Sequence, residues 1–276
     1  MGRITTRRRV TRVAADGSAR QRVDVLAVEE PLELRHRGQV LTVTMRTPGD
    51  DIDLATGWLV AEGVIRRADQ VRRASYCAGT DEQGRQTYNV VELELDDDTP
   101  PPRLRQTVTS SACGVCGTSS IDALRLAGPY DLTQDETVVD GEVLAGLPEK
   151  LRATQQQFDR SGGVHAAGLF GPAGDLWCVR EDVGRHNAVD KVVGWAAREG
   201  RLPLRGAVLQ VSGRASFELV QKAVMAGIPV LSAVSAPSSL AATLADELGL
   251  TLAGFVRDGG FNVYAHPARV RTPAAR

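Results

Sequence analysis

The sequence predicts an α/β protein in which a three-layer α/β/α domain follows a smaller α+β domain. Two observations indicate the larger domain. Helix and strand patterns alternate regularly from about residue 164 to residue 265, and strands such as 207–212 are apolar on both faces. Helices on both sides of a mostly parallel sheet would bury such strands. Short strands and one helix between residues 23 and 95 predict the smaller α+β domain.

Whole-chain composition excludes several classes of function. The net charge of −1 over 276 residues gives no global field that would favour nucleic acid. No apolar run approaches the roughly 18 residues that a membrane span needs, so no membrane association is predicted. Three arginines at residues 7–9 are not followed by an apolar stretch, which excludes a secretory or twin-arginine signal. We therefore expect a cytoplasmic protein, in a compartment where thiols stay reduced.

The first half of the chain divides into three parts. Residues 1–22 are rich in arginine and aperiodic, and they predict a flexible basic arm. The domain over residues 23–95 contains strands near 32–35 and 40–45, a helix from about Asp51 to Gly63, and a hairpin of 71–77 with 87–95. Three acids and three prolines then open residues 96–120, which are predicted to be a linker and a Cys-x-x-Cys loop.

The second domain is predicted to span residues 121–276. It opens with a short helix near 121–126 and a helix from about Pro148 to Phe158, with the proline in the first turn. Strands 164–170 and 176–180 follow, joined by a Gly-Pro-Ala-Gly turn. The remaining predicted elements alternate: helices 185–199, 215–226 and 238–248 with strands 207–212, 230–234, 251–256 and 261–265.

Two cysteines lie three residues apart in a stretch of small residues. Cys113 and Cys116 are surrounded by glycine, serine and threonine over residues 109–120, a composition that cannot pack as a core. The predicted helix that follows would favour thiolate over thiol at its N-terminus. The pair therefore indicates sulfur, redox or metal chemistry. Cys77 and Cys178 lie in strand patterns and are predicted to be small buried side chains.

Polar clusters follow three of the predicted strands, at residues 180–187, 212–218 and 235–239. Each cluster leads into a helix N-terminus, where backbone N–H groups can hold a phosphate, and ligands of open α/β sheets bind at the carboxyl ends of strands. Three such ends together predict a site for a polyanionic ligand of nucleotide size. The candidate binding residues are Arg180, Arg185, Ser212, Gly213, Arg214, Ser216, Lys222 and Ser238. His165 and His186 stay open between a structural role and a ligand contact.

Three chemistries compete for the thiol pair. Zinc is disfavoured because no second Cys-x-x-Cys and no His-x-Glu occurs, and residue 112 is alanine where a deaminase has proline, so no metal ligand is predicted. A dithiol oxidoreductase would place the motif between a first strand and a long helix, whereas here it follows a linker. A persulfide relay fits best. The oxidoreductase stays open as an alternative, as does a cofactor-binding chaperone without sulfur transfer.

The motifs together resemble the formate dehydrogenase accessory sulfurtransferases, the FdhD/NarQ family, over residues 23–265. The resemblance lies in Thr47-Pro48-Gly49-Asp50, Glu62-Gly63, Cys113-Gly114-Val115-Cys116-Gly117, Gly162-Gly163-Val164-His165, residues 180–191, residues 212–218, residues 233–239 and Phe261-Asn262-Val263-Tyr264. The long Arg-Glu-Asp stretch and the Cys-x-x-Cys are its most specific parts.

The resemblance implies a fold, a reaction and a set of partners. The second domain would be cytidine deaminase-like without the zinc ligands. The protein would take sulfur from a cysteine desulfurase as a persulfide on Cys113, with Cys116 assisting, and pass it to the bis-molybdopterin guanine dinucleotide cofactor before insertion into formate dehydrogenase. Whether the metal is molybdenum or tungsten stays open, as does whether Cys116 relays sulfur or attacks the persulfide.

A cofactor-contacting segment is also implied by the resemblance. It comprises Phe255, Val256, Arg257, Asp258, Gly259 and Gly260. Arg257 and Asn262, in the turn between the last two predicted strands, are candidate contacts to the base or phosphates. We expect GDP to bind as a fragment of the cofactor. A homodimer would supply paired sites for the two nucleotides, although the sequence does not establish one.

Overall fold

The structure, a computed structural model, describes residues 4–77, 79, 84, 86–100 and 128–272. It begins with an antiparallel hairpin of strands β1 (Thr5–Val13) and β2 (Ala19–Ala27). The prediction that residues 1–22 lack regular structure is therefore wrong from Thr5 onward. Threonine and valine, which favour extended chain, make up five of the nine residues of β1. Because most of the hairpin is exposed, no apolar alternation revealed the two strands.

A four-stranded sheet follows the hairpin. It contains β3 (Glu30–His36), β4 (Gln39–Arg46), β5 (Val71–Tyr76) and β6 (Val90–Leu95) in the order β4-β3-β6-β5. Strands β3 and β6 are parallel and the other two pairings are antiparallel. The predicted strands and the predicted hairpin are confirmed, and helix α1 (Asp51–Ala61) lies between β4 and β5 as predicted.

A buried ion pair between an arginine of β4 and an aspartate of α1 joins this sheet to the helix. Arg46 is fully buried at the end of β4, and its Nε and Nη2 each donate to a carboxylate oxygen of Asp51 at 3.1 Å. The Tyr76 hydroxyl donates to the same carboxylate at 3.0 Å. Burial and the neighbouring Asp51 carboxylate raise the pKa of Tyr76, so this phenol stays protonated and keeps its donor role.

The second half of the chain forms a six-stranded sheet in the order β13-β12-β11-β10-β8-β9. Its strands are β8 (His165–Phe170), β9 (Leu176–Asp182), β10 (Val208–Val211), β11 (Val230–Ala233), β12 (Thr251–Arg257) and β13 (Gly260–Ala265). A short parallel pair, β7 (Val139–Asp140) with β14 (Val270–Arg271), lies apart from it. Within the six-stranded sheet, the pairings β10–β11 and β11–β12 are parallel and the other three are antiparallel, so the predicted mostly parallel sheet is wrong. Tight turns at both ends of the sheet make the outer pairings antiparallel, since a parallel pairing needs a longer crossover.

Helices cover both faces of this sheet, which confirms the α/β fold class. Leu169, Leu209 and Leu231 face the helices α4 (Arg185–Arg198), α5 (Phe217–Met225) and α6 (Ser239–Glu247). Phe170 and Val208 face the opposite side, against α2 (Gly141–Arg152). Helix α3 (Gln156–Ser161) follows α2. Single turns of 3-10 helix occur at Ala68–Gln70, Leu132–Gln134 and Pro267–Arg269.

The helix predicted from Pro148 to Phe158 is wrong in its boundaries. Helix α2 begins seven residues earlier, so Pro148 lies inside it, and the chain leaves the helix before α3 starts. Leu144, Leu147 and Leu151 are buried at helical spacing, and this apolar stripe holds α2 on the sheet despite the proline. Proline is favoured in a first turn, and that preference misplaced the predicted start.

Helices α1 and α4 cross at two glycines. A Cβ atom added to Gly57 would lie 1.8 Å from the backbone oxygen of Asp190, and one added to Gly194 would lie 1.8 Å from that of Asp53. Each glycine therefore lets the backbone of one helix touch the other. One hydrophobic cluster extends from the four-stranded sheet through α1 and α4 to the six-stranded sheet.

Within the described ranges, no helix has the length and apolarity that would let it cross a membrane. The predicted helix near residues 121–126 lies outside the residues that the structure describes.

Candidate functional site

A cavity opens at the carboxyl edge of the six-stranded sheet. It has a volume of about 800 Å³ and lies between the strand ends and helices α2 and α3. Pockets for small molecules and cofactors usually measure roughly 300–1,000 Å³, so this cavity suits a ligand of nucleotide size. The sheet edge contributes His165, Val183, Ser212, Val234, Arg257 and Asp258 to the lining.

The opposite wall of the cavity comes from α2, α3 and the glycine pair that follows them. The Arg152 guanidinium lies 4.7 Å from the centre of the Phe158 ring, and both side chains line the cavity. The Glu181 carboxylate at the end of β9 accepts the backbone N–H groups of Gln157 and Phe158 at 2.8 and 2.9 Å, which holds α3 in place.

Sequence reasoning missed this wall, because it placed Arg152 and Phe158 on one continuous helix and gave neither a ligand role. The only available signal was Gly162-Gly163, which permits close approach to a ligand and which does line the cavity.

His165 stands at the start of β8, beside the loop that follows β10. A Cβ added to Gly213 would lie 3.4 Å from the Nδ1 of His165, so the glycine makes room for the ring. Burial lowers the pKa of His165, and the nearby charges of Arg185 and His186 lower it further. The imidazole therefore stays neutral at pH 7 and can both donate and accept hydrogen bonds in the cavity. Ser212, next to Gly213, accepts the Ala166 backbone N–H at 2.9 Å.

His186 occupies the first turn of α4 and faces the start of α5. Its Nε2 lies 2.7 Å from the Glu218 carboxylate and 3.1 Å from the Ser216 hydroxyl. The hydrogen bond from His186 lowers the pKa of Glu218 to about 2, against an opposing effect of burial. The N-termini of α4 and α5 therefore lie side by side, and an ion pair joins them when His186 is protonated.

Arg180, a predicted ligand contact, is not among the residues that line the cavity. Its side chain crosses from β9 to α1, where Nη2 donates to Asp53 at 2.9 Å and Nε lies 3.5 Å from Asp50. Nη1 donates to the Cys178 sulfur at 3.2 Å. Burial raises the pKa of Cys178 to about 12, so this thiol stays protonated and unreactive, as its predicted structural role requires.

The next residues of the same stretch form a buried ionic network. Asp182 is fully buried and lies 2.8 Å from the Lys191 Nζ. Its carboxylate also accepts the backbone N–H groups of Thr47 and Gly184 at 3.1 and 2.8 Å, and the Asn187 amide at 3.0 Å. Lys191 in turn donates to the Thr47 carbonyl at 3.0 Å. The network ties the turn before α1 to β9 and α4, so these residues hold the fold together.

Lys222 has a similar structural partner. Its Nζ lies 2.7 and 2.9 Å from the two carboxylate oxygens of Asp190 on α4. Burial raises the pKa of Asp190, and the charge and hydrogen bond of Lys222 oppose that rise. A ligand would therefore have to compete with the buried Asp190 carboxylate for the ammonium group of Lys222.

Three further candidates are not among the residues that line the cavity. Ser238 caps α6, where its hydroxyl accepts the Ala241 backbone N–H at 3.2 Å, while Arg214 is exposed. Arg185 lies near Gly213, and its buried Nε has no hydrogen-bond partner in the part of the chain that the structure describes.

The segment 255–260 comprises the last three residues of β12, the two-residue turn and the first residue of β13. Phe255, Asp258 and Gly259 all have positive φ angles, and Val256 is buried. The bulge at Phe255 leaves its ring partly exposed, with the Arg257 guanidinium 5.5 Å from the ring centre. Asn262 donates weakly to the Tyr264 hydroxyl at 3.4 Å. The turn therefore presents Arg257 and Asp258 to the cavity.

The structure thus brings some predicted residues together and separates others. Ser212, Arg257 and Asp258 share the cavity with His165. Gly213 lies beside His165 with Arg185 near it, and Ser216 contacts His186, whereas Arg180 and Lys222 are held by carboxylates of the protein. Cys113 and Cys116 lie outside the described residues.

Fold and site define an α/β protein with a ligand-sized cavity at the carboxyl edge of its main sheet. The chain belongs to the FdhD/NarQ family, whose model matches residues 27–271. A relative from Nocardia farcinica, named sulfur carrier protein FdhD, is 57% identical over 99% of this chain and 98% of its own. A relative of the same name from Streptomyces avermitilis is 54% identical over 100% of this chain and 99% of its own.

A solved structure shares the fold. It is a protein from Desulfotalea psychrophila described as a formate dehydrogenase accessory protein, with a TM-score of 0.75 and 23% identity, covering 98% of this chain and 100% of that one.

Proposed function

We propose that this chain is a cytoplasmic sulfur carrier that formate dehydrogenase requires for activity. It accepts sulfur from a cysteine desulfurase and transfers it to the bis-molybdopterin guanine dinucleotide cofactor, which is its substrate, before that cofactor enters formate dehydrogenase. The observation that carries the proposal is the cavity of about 800 Å³ at the carboxyl edge of the sheet, in a chain whose close relatives are named as sulfur carriers.

The chemistry of the cavity supports a nucleotide ligand. Arg152 and Arg257 place two guanidinium groups in the lining, and guanidinium is the side chain best suited to pyrophosphate oxygens. The neutral imidazole of His165 and the hydroxyl of Ser212 add uncharged polar contacts. Apolar side chains such as Val183 and Val234 provide contact surface for a ring system.

The volume of the cavity matches one nucleotide half of the cofactor better than both halves. A homodimer would supply a second cavity for the second guanine nucleotide. GDP is the smallest fragment that contains the base, the ribose and the diphosphate, and calorimetry with GDP therefore tests the cavity separately from the sulfur chemistry.

Cys113 is the proposed sulfur-carrying residue. Its thiolate attacks the terminal sulfur of the persulfide on the desulfurase, which forms Cys113–S–SH and releases the cysteine thiolate of the donor. Atoms and electrons balance in this exchange without any added oxidant. Cys116 assists the delivery, either as a second carrier or by attack on the Cys113 persulfide.

Intact mass spectrometry after incubation with a cysteine desulfurase and cysteine tests the proposal. We expect the native chain to gain about 32 Da per sulfur atom, and Cys113→Ala to gain none. Cys116→Ala is the matched control, because it keeps the carrier and removes the neighbouring thiol. A persulfide that accumulates further in Cys116→Ala would assign the second thiol to persulfide release. A native chain that gains no mass would contradict the proposal.

A further inference from the structure

The hairpin of β1 and β2 is strongly basic, and we name residues 5–27 the basic ribbon. Residues 4–27 contain six arginines and two aspartates, a net charge of +4 in a chain whose net charge is −1, so the rest of the chain carries −5. Both strands are exposed over most of their length. The arginines are Arg7, Arg8, Arg9, Arg12, Arg20 and Arg22.

The charges of the basic ribbon are largely uncompensated within the protein. Among the described residues, Arg22 is the one arginine of the ribbon with a carboxylate partner, Asp24 at 3.0 Å. Arg12 stands directly opposite Arg20 across the two strands, an arrangement of like charges that destabilises a hairpin. Two strands alone are marginally stable in water, so such repulsion is costly unless an external anion relieves it.

The position of the basic ribbon is fixed relative to the cavity. The Cβ atom of Ala27, at the end of β2, would lie 3.6 Å from a Cβ added to Gly163, and Gly163 lines the cavity. The hairpin also packs against α3, which forms the same wall. A molecule bound to the ribbon would therefore be held beside the cavity.

We propose that the basic ribbon is a docking surface for the acidic face of a partner protein. Apolar side chains are exposed among the arginines on both faces of the ribbon, and they gain contact area against the apolar side chains of a protein. Leu26, 36% accessible, shares the face of Arg8, Arg12 and Arg20, while Val13 and Val23, 66% and 60% accessible, lie on the other face. The negative remainder of the chain disfavours nucleic acid, because it repels a phosphate backbone that reaches past the ribbon. The proposal is independent of the sulfur chemistry, and the family model begins only at residue 27.

A charge-neutralising variant tests the basic ribbon. Arg8, Arg12 and Arg20 point to one face, so the triple change R8Q/R12Q/R20Q removes three charges from it. The matched control R66Q/R73Q/R205Q removes three exposed arginine charges elsewhere. Fluorescence anisotropy with labelled poly-L-glutamate serves as the binding assay, at 50 and 200 mM salt. We expect the native chain and the control to bind alike, and the ribbon variant to bind at least tenfold more weakly.

Further measurements separate this proposal from its competitors. The charge-conserving variant R8K/R12K/R20K should retain binding within a few-fold. No variant should unfold at a lower temperature than the native chain, since the changed side chains are exposed and R8Q/R12Q/R20Q removes a repulsion. Equal affinity of the ribbon variant and the control would overturn the proposal. Tighter binding to a 20-base-pair DNA duplex than to polyglutamate would assign the ribbon to nucleic acid instead. Self-association that R8Q/R12Q/R20Q abolishes, measured by sedimentation, would make the occupant a second copy of this chain.

Discussion

Two charged segments at the same edge of the sheet direct their cations differently, one into the fold and one into the cavity. In residues 180–191, Arg180 is bound by Asp53 and Lys191 by Asp182, and both cations are directed into the fold. In residues 255–260, Arg257 has no carboxylate partner among the described residues and lines the cavity with Asp258. In sequence, both segments look like ligand-binding motifs. The difference is whether the protein itself already provides the counter-charge.

This comparison teaches that a dense polar motif can serve the scaffold as much as the ligand. A buried ion pair is specific in geometry, and removing one of its partners leaves an uncompensated charge. A cavity cation must instead stay accessible to a ligand. Among the described residues, Arg257 has no carboxylate partner, and Arg152 pairs only with the exposed Asp159, at 2.6 Å. Variants that separate stability from ligand binding therefore test the comparison directly.

The largest expected effect is at Lys191. Lys191→Met leaves the fully buried Asp182 without its cation, and breaking a buried pair in this way costs about 3–5 kcal/mol of unfolding free energy. Urea denaturation at pH 7 measures the loss. The control is Lys150→Met. Lys150 is exposed, its Nζ donates to the Gly174 carbonyl at 2.7 Å, and its loss should cost about 1 kcal/mol. Similar losses of unfolding free energy in the two variants would contradict the comparison, because the buried network of Asp182 and Lys191 would then contribute no more than a single surface hydrogen bond.

The next largest effect on stability is expected at Gly57, where α1 and α4 cross in close contact. Gly57→Ala would place a methyl group 1.8 Å from the Asp190 carbonyl oxygen, which only a shift of one helix can relieve, so we expect a loss of about 3 kcal/mol. Gly146→Ala is the control within α2, where a Cβ meets nothing within 4 Å and helix propensity predicts a gain of roughly 0.5–1 kcal/mol. Thermal unfolding followed by circular dichroism distinguishes them. An unchanged unfolding midpoint for Gly57→Ala would contradict the close contact between α1 and α4 at this glycine.

The comparison is sharpest between Arg257 and Arg180. Hydrogen bonds to charged groups contribute about 1.5–3 kcal/mol, so Arg257→Gln should weaken GDP binding roughly 10- to 100-fold at unchanged stability. Arg180→Gln should leave GDP binding unchanged and lower stability, because Asp53 would then depend on the half-exposed Arg198. Calorimetry measures the first quantity and urea unfolding the second. The reverse pattern would show that residues 180–191 form the ligand site.

The smallest effect concerns the pair of His186 and Glu218. The pKa of Glu218 is lowered from 4.5 to about 2, so its ionised form stabilises the fold above pH 4.5, and this contribution is lost as the pH falls toward 2. The side chain is about half exposed, so solvent screening limits the contribution to under about 1 kcal/mol. Glu218→Gln should therefore lower stability at pH 5 and match the native chain near pH 2. A constant difference between the two chains across this range would exclude the linkage.

Sequence patterns captured the parts of this fold that rest on local periodicity. The helices after β9, β10 and β11, and the strands between them, are confirmed because their apolar spacing repeats over many residues. The exposed hairpin of β1 and β2 lacks that signal, and the start of α2 was obscured by Pro148, a residue that is usually found at helix starts.

The site was predictable only in part for a related reason. Strand ends locate the sheet edge, and this signal singled out Ser212 and Arg257, both of which line the cavity. The wall made by Arg152 and Phe158 depends on how α2 and α3 pack across the sheet, which no local pattern encodes. Arg180 and Lys222 were assigned to the ligand because their carboxylate partners, Asp53 and Asp190, come from other helices. Such pairings form between residues that are far apart in sequence, so no local pattern predicts them.

The contact between Gly57 and Gly194 has a consequence for how this chain is made. Helix α1 is synthesised well over a hundred residues before α4, its partner at the crossing. At elongation rates of roughly 5–20 residues per second, several seconds pass before the two helices can meet. Until then, the part of the hydrophobic cluster that α1 and the early sheet contribute lacks the α4 side chains that complete it.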